Sequence, residues 1–62
     1  MICPLCQDIM VDYTIVVFAC YNCRLTYDND YDMYYKYTKN WRFEYEATSE
    51  KFNRLMKLKA FL

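Results

Sequence analysis

The chain contains no glycine, no histidine and a single proline among its 62 residues. Without histidine it can form neither a histidine-based catalytic triad nor a histidine metal ligand. Without glycine, its tight turns must use Asn and Asp, which tolerate the left-handed backbone conformation. Eight Lys and Arg residues balance eight Asp and Glu residues, so no excess of positive charge marks a protein that coats DNA.

Long apolar segments are also lacking. The longest apolar run, Ile15 to Cys20, is six residues long, far below the roughly 20 that a membrane-spanning helix needs. The first residues, Met1-Ile2-Cys3, carry neither a basic segment nor a long apolar one, so we expect no secretory signal peptide. These features predict a cytoplasmic protein without a membrane partner.

Hydrophobic residues are plentiful and include an unusual share of aromatic side chains. Hydrophobic residues make up 56% of the chain and aromatic residues 21%, which excludes a disordered tail. A single domain of this size buries only about 60% of its unfolded surface. Such a domain usually needs a metal, disulfides or a partner in order to fold. The four cysteines are the candidates for that role.

The cysteines form two C-x-x-C pairs, Cys3-Pro4-Leu5-Cys6 and Cys20-Tyr21-Asn22-Cys23, which the 13 residues 7–19 separate. Each pair can occupy the tip of a short hairpin, so that two sulfurs approach one ion through a single local turn. Four thiolates at about 2.3 Å in a tetrahedron suit Zn²⁺. In a reducing compartment, clustered cysteines indicate metal binding before they indicate disulfides. The spacing therefore predicts one structural zinc ion held by Cys3, Cys6, Cys20 and Cys23.

Other uses of the four cysteines fit less well. Two disulfides would require an oxidising compartment, and a thioredoxin-like redox pair would require a βαβ context. Iron also accepts four thiolates, but the short spacing and the absence of glycine argue against it. Four sulfurs leave a tetrahedral ion no position for a catalytic water. With one serine and no glycine-rich phosphate loop, we expect no enzyme and no small-molecule substrate.

The paired motifs resemble the zinc-ribbon family, in which two such turns, called zinc knuckles, hold one ion. The first pair has the family's Cys-Pro-x-Cys form, and the resemblance covers residues 3–23 of this chain. It implies a structural zinc ion and a role of the kind found in transcription factors, polymerase subunits, ribosomal proteins or viral accessory proteins. A glycine often follows the second cysteine of a knuckle, whereas Gln7 and Arg24 stand in those places here.

The predicted fold class is a small α+β metal-stapled domain, with a zinc ribbon, an antiparallel β-hairpin and a C-terminal α-helix. The single domain, residues 1–62, divides into a zinc-ribbon part (1–27), a hairpin (31–47) and a helix (49–62). Residues 13–19 are rich in β-branched and aromatic side chains, which predicts a strand. Asp28-Asn29-Asp30 predicts the turn between the ribbon and the hairpin.

Alternating apolar and polar residues predict the hairpin. A three-residue loop, Thr38 to Asn40, pairs Tyr37 with Trp41, and Asn40 takes the left-handed position. In this register the apolar residues share one face, which either packs beneath the helix as the core or forms a stacking platform for single-stranded nucleic acid. The row comprises Tyr31, Met33, Tyr35, Tyr37, Trp41, Phe43, Tyr45 and Ala47. Tyr34 falls on the polar face and is expected to be exposed.

The predicted helix begins at a cap formed by Thr48 or Ser49. At about 100° per residue, its core face holds Phe52, Leu55, Met56, Ala60 and Leu62. A second, basic and apolar side is the candidate partner surface, together with the exposed Tyr34. That side comprises Lys51, Arg54, Lys57, Leu58 and Phe61.

Two functions are compatible with these features. The first is a non-catalytic zinc-binding module that docks on a larger protein or nucleoprotein complex, such as a transcription, defence or virion complex. The alternative is a nucleic-acid-binding zinc ribbon that acts in transcription or RNA handling. The balanced charge favours the first. A preference for residues with AT-rich codons over Gly, Ala and Pro suggests a phage or viral accessory protein, acting in the cytoplasm of a host cell.

Overall fold

A computed structural model describes residues 1–60 of the chain, and its side chains through Leu58. Five antiparallel strands form one sheet in which the spatial order follows the chain order, and a helix follows the last strand. This architecture confirms the small α+β class with its C-terminal helix. The elements are β1 (Val11–Asp12), β2 (Val17–Cys20), β3 (Leu25–Asp28), β4 (Met33–Tyr37), β5 (Phe43–Thr48) and α1 (Ser49–Ala60).

The second strand begins later than the apolar pattern predicts, at Val17 rather than near Tyr13. The Thr14 hydroxyl accepts hydrogen bonds from the backbone N–H groups of Val16 (3.3 Å) and Val17 (3.0 Å). A threonine side chain that binds the backbone in this way favours a turn over a strand. The turn reverses the chain between β1 and β2.

The turn between β3 and β4 lies where the Asp and Asn residues predict it. An Asp28 carboxylate oxygen accepts hydrogen bonds from the N–H groups of Asp30 (2.9 Å) and Tyr31 (3.3 Å). The turn ends at Asp32, whose φ of 53° is left-handed. Asp is one of the few residues besides glycine that adopt this conformation readily, so the chain makes the turn without glycine.

The register of the β4–β5 hairpin differs by one residue from the prediction. Thr38 donates to the carbonyl oxygen of Arg42 (2.8 Å) and accepts from the N–H of Trp41 (2.9 Å), so the loop is 39–41. The left-handed residue is Trp41, with φ 61°, and not Asn40. Tyr37 consequently pairs with Phe43 and not with Trp41.

A β-bulge then divides the predicted apolar row between two faces of the sheet. Pairing passes from Lys36 with Tyr45 to Tyr37 with Phe43, which leaves Glu44 without a partner. One extra residue moves every later side chain to the other face. Phe43 therefore lies on the face of Tyr37, whereas Tyr45 lies on the opposite face. The prediction of one continuous apolar face is wrong for this reason.

The core lies between the sheet and the helix. Phe52 of α1 is 2% exposed and stacks on Tyr34 of β4, with ring centroids 4.4 Å apart. Tyr34 is itself only 7% exposed, so its predicted place on the surface is wrong. The side of β4 that carries Tyr34 faces the core, whereas the sequence pattern predicted that the side with Tyr35 and Tyr37 would do so. The remaining buried members are Cys3, Met10, Cys20, Leu25 and Ala47.

The helix follows β5 without a loop. The Thr48 hydroxyl accepts a hydrogen bond from the N–H of Lys51 at 3.2 Å, which confirms Thr48 as the N-cap. Phe52 is buried and Met56 is packed against the core, as predicted, but Leu55 is exposed. Ala60 ends the helix and Leu62 lies outside the described residues. Within residues 1–60, no helix is long and apolar enough to cross a membrane.

A side-chain hydrogen bond ties the end of β3 to the turn that follows it. The Tyr27 hydroxyl donates to a carboxylate oxygen of Asp32. This hydrogen bond, with burial, raises the pKa of Tyr27 to about 12. The carbonyl oxygen of Asp32 also accepts from the N–H of Ser49 at 2.9 Å. Asp32 thus links the strand, the turn and the start of the helix.

We expect the Tyr27 phenol to stabilise the fold below pH 10 and to lose that contribution as the pH rises towards 12. The sign follows because the pKa of Tyr27 in the folded chain lies above its ordinary value of 10.0. Phenolate absorbance should be titrated in the wild-type chain and in Tyr27→Phe. The difference between the curves should have its midpoint near pH 12, and Asp32→Asn should lower it. A midpoint near pH 10 would contradict the hydrogen bond.

Candidate metal centre

The first C-x-x-C turn, called the first knuckle below, is a tight turn closed by backbone hydrogen bonds. Cys3 donates to the carbonyl oxygen of Asp8 (2.7 Å), and Gln7 donates to that of Cys3 (2.9 Å). A bridge between Ile2 and Ile9 holds the ends of the turn together. These contacts place the sulfurs of the first pair on one side of the turn.

The second knuckle is the turn between β2 and β3, where Cys20 pairs with Leu25. Arg24 closes this turn with φ 58°, and Gln7 closes the first knuckle with φ 69°. These are the two places where a glycine often stands in zinc knuckles. Both residues adopt the left-handed conformation, which costs a non-glycine residue of order 1–3 kcal/mol. The knuckle backbone therefore forms without glycine.

The four cysteine sulfurs meet at one point. All four Sγ atoms lie within 4.8 Å of one another, and those of Cys6 and Cys20 are 3.6 Å apart. A tetrahedral ion with sulfur bonds of about 2.3 Å requires sulfurs about 3.8 Å apart. The cluster fits this requirement, so it can hold one metal ion, and a set of four thiolates suits zinc.

The surroundings of the sulfurs differ in their effect on thiol ionisation. Burial raises the pKa of Cys3 and of Cys23 above the ordinary value. The backbone N–H of Asp8 is the main cause that lowers the pKa of Cys6, to about 7. Cys6 therefore ionises more readily than Cys3 and Cys23. A metal ion bound at the cluster would favour the thiolate form of all its ligands.

The metal centre is also part of the hydrophobic core. Cys3 and Cys20 are buried and belong to the same cluster as Leu25 and Phe52. Cys6 and Cys23 are half-buried and pack against it. The two knuckles and the helix therefore share one packed interior, and an ion at the sulfurs would hold the N-terminal third of the chain against α1.

Only some of the residues predicted for partner binding lie on one exposed surface. Lys51, Arg54, Lys57 and Leu58 are exposed on α1. Arg54 forms an exposed ion pair with Glu50 at 3.1 Å, which contributes little to stability. Tyr34 is buried and cannot belong to this surface. Phe61 lies outside the described residues.

Trp41 belongs to a group of residues near the second knuckle whose other members, Tyr21 and Arg24, were not predicted to form a site. The row that contains Trp41 was predicted to be either core or a stacking platform, and Trp41 is 42% exposed. The Arg24 guanidinium carbon lies 4.8 Å from the centre of the Trp41 ring, and Tyr21 meets the same ring edge-on at 5.8 Å. The sequence offered no signal for Trp41 at the left-handed position, because the neighbouring Asn40 ordinarily takes that position in such a loop.

Comparisons of this chain with protein-family models, with curated proteins and with solved structures find no match. The fold and the site together define a small α+β domain with a four-cysteine cluster suited to a metal ion. Its function must be inferred from the surfaces that this domain presents.

Proposed function

We propose that this chain is a non-catalytic zinc-binding module that docks on a protein partner through the exposed side of α1. The observation that carries the proposal is an exposed apolar side chain on a helix whose other side is fixed in the core. Leu58 is 58% exposed, although exposure of a large aliphatic group brings an isolated domain no stability. Leu55, also exposed, projects to the same side of the helix at about 100° per residue.

The chemistry of the cluster supports a non-catalytic role. Zn²⁺ bound by four thiolates has a filled coordination shell, as in structural zinc sites. Catalytic groups usually depend on burial to shift their pKa values, and the buried ionisable side chains of the described residues are Cys3 and Cys20 of the cluster and Tyr34. The ion therefore serves to hold the fold, and the function lies on the surface.

The exposed side of α1 combines apolar and basic groups. Leu55 lines a shallow cavity of about 290 Å³ together with Leu5 and Tyr45. Lys51 lies beside Leu55 and Leu58 on the same side of the helix. An apolar cavity with a cationic rim suits an acidic protein surface that offers an apolar side chain as an anchor.

The kind of partner follows from composition and from the zinc-ribbon resemblance of residues 3–23. A chain rich in residues with AT-rich codons fits a phage or viral accessory protein. Such a protein would act in the cytoplasm of a host cell and bind a larger transcription, defence or virion complex. The zinc ion and the sheet would then present α1 to that complex in a fixed orientation.

We expect the double substitution Lys51→Glu, Leu58→Ser to abolish association without disturbing the fold. Both side chains are exposed, so their loss should change stability by less than about 0.5 kcal/mol. A glutamate at position 51 would also complete a capping box with Thr48, which supports the start of the helix. Proteins captured from the host by the wild-type chain should be identified, and each purified partner titrated against both chains.

The matched control is Tyr31→Ser, which removes an exposed aromatic group from the β3–β4 turn. This control should bind as the wild type does, and the double variant should not. Circular dichroism and zinc content should be the same in all three chains. Unchanged partner affinity in the double variant would place the contact elsewhere on the molecule.

A further inference from the structure

The sheet has a second face, which α1 does not cover. Aromatic side chains from four segments surround an open cavity of about 330 Å³ on this face, close to the lower end of the roughly 300–1,000 Å³ typical of ligand sites. Ala19 and Thr26 form its floor. The walls, named the aromatic platform below, are Tyr13, Tyr21, Tyr37 and Trp41.

Trp41 occupies the centre of the aromatic platform. Tyr21 and Tyr37 each lie with ring centroids 5.8 Å from that of Trp41. The Arg24 guanidinium lies over the Trp41 ring at 4.8 Å. It is held there by hydrogen bonds to the carbonyl oxygens of Tyr21 and of Lys39, the latter at 3.4 Å. The rings and the guanidinium are thus fixed before any ligand arrives.

The backbone of this region is strained. Trp41 and Arg24 both have positive φ, 61° and 58°, where a bulky side chain is a rare exception. The strain does not bring Trp41 into the core, because its side chain remains exposed. The conformation of Arg24 closes the second knuckle, whereas that of Trp41 gains no burial for its side chain, and backbone strain of this kind clusters at functional sites.

Positive charge is concentrated at the same end of the sheet. Arg24, Lys36 and Lys39 line a polar groove of about 420 Å³ that shares Tyr21 with the aromatic platform. Arg24 is the only cationic side chain in residues 1–35. The acidic turn 28–32 lies at the other end of β3, which runs from Leu25 to Asp28. Three of the eight Lys and Arg side chains therefore lie at this end of the sheet, away from the acidic turn.

We propose that the aromatic platform and the adjoining groove bind single-stranded nucleic acid. An unpaired base stacks on the face of the Trp41 ring that Arg24 leaves open, and the neighbouring phosphates lie in the groove against Lys36 and Lys39. Aromatic rings beside a cationic groove are the arrangement by which proteins bind single strands without sequence preference. An acidic peptide would use the cations but would leave the stacking surfaces unused. This site goes beyond the proposed docking function, because the aromatic platform lies on the face of the sheet opposite α1 and the groove lies at the end of the sheet.

Trp41 is the only tryptophan of the chain, so its intrinsic fluorescence reports directly on ligand binding at the aromatic platform. The zinc-loaded protein should be titrated with oligo(dT) and oligo(U) of about 10 nucleotides while tryptophan fluorescence is recorded. We expect saturable quenching with micromolar affinity. Neutralisation of three or four phosphates predicts that log K falls with log salt at a slope of about −2 to −3. No quenching at millimolar oligonucleotide, or equal affinity for duplex DNA, would overturn the proposal.

The variant Trp41→Gly should lose oligonucleotide affinity while its fold is retained. Glycine adopts positive φ freely, so this variant should retain its zinc and its circular dichroism spectrum. Because stacking of one base commonly accounts for a factor of about 10 in affinity, labelled oligonucleotides should bind the variant at least about 10-fold more weakly. Lys39→Glu provides a second test that leaves Trp41 in place, and it should weaken binding and reduce the salt dependence.

Two controls make the outcome specific. Tyr31→Ala removes an exposed ring from the acidic turn and should leave oligonucleotide affinity unchanged. Lys51→Glu, Leu58→Ser alters only α1 and should also leave it unchanged, so failure of this proposal is distinguishable from failure of docking through α1. Competition by poly-glutamate as effective as that by oligo(dT) would assign the site to an acidic protein and overturn the proposal.

Discussion

Chelation of zinc is expected to unfold this protein. Two of the four sulfur ligands are fully buried in the same cluster as Phe52 and Leu25, so the loss of the ion removes the centre of the core. Structural zinc contributes about 10–16 kcal/mol to the folding of small domains. The total stability of a typical domain is only about 5–15 kcal/mol. The hydrophobic core of a 62-residue chain is therefore too small to supply the folding free energy that the ion contributes.

The measurement combines metal analysis with spectroscopy. Elemental analysis should give one zinc per chain, and a chelator should abolish the sheet signal in circular dichroism. Cys20→Ser should have the same effect without a chelator, because Cys20 is a buried ligand. The control is Asn22→Ser in the same knuckle, which leaves all four sulfurs in place. Iron in the purified protein, or a folded metal-free chain with four reactive thiols, would contradict this prediction.

The four-cysteine cluster was predictable because its geometry is local. Each C-x-x-C pair needs one turn to bring two sulfurs together, and the intervening strand pairs only have to bring the turns into contact. The sequence does not show that Gln7 and Arg24 would accept positive φ. That outcome depends on the backbone hydrogen bonds and the strand pairing that close each knuckle.

The hairpin register was not predictable from alternation alone. A pattern of period two assigns side chains to faces only while the pairing is regular. Here the left-handed residue is Trp41 and a bulge leaves Glu44 unpaired. The bulge places Tyr45 and Ala47 on the face of Tyr34, which stacks on Phe52, and it places Phe43 on the face of Tyr37. The cap at Thr48, by contrast, is a local interaction and was predicted correctly.

Phe52→Ala is expected to be the most damaging substitution outside the metal ligands. Phe52 is 2% exposed, stacks on Tyr34 at 4.4 Å and joins α1 to the cluster that contains Cys3. Removal of a buried phenylalanine costs about 3–5 kcal/mol, because both transfer energy and packing are lost. In a domain this small, that loss should leave a large fraction of chains unfolded at 25 °C and should weaken zinc retention.

Phe43→Ala is the matched control, since it removes the same side chain from the open face of the sheet. Phe43 is 59% exposed and touches Tyr37 edge-on, with ring centroids 6.3 Å apart. Its truncation should cost less than about 1.5 kcal/mol. Urea unfolding of both variants should be followed at one fixed concentration of free zinc, because zinc stabilises the folded chain by mass action.

The continuous apolar row predicted from the sequence would place Phe43 in the core, so the two variants would then lose similar amounts of unfolding free energy. The bulge at Glu44 predicts a difference of about 2 kcal/mol or more between them, and equal unfolding midpoints would show that the core is not where the structure places it.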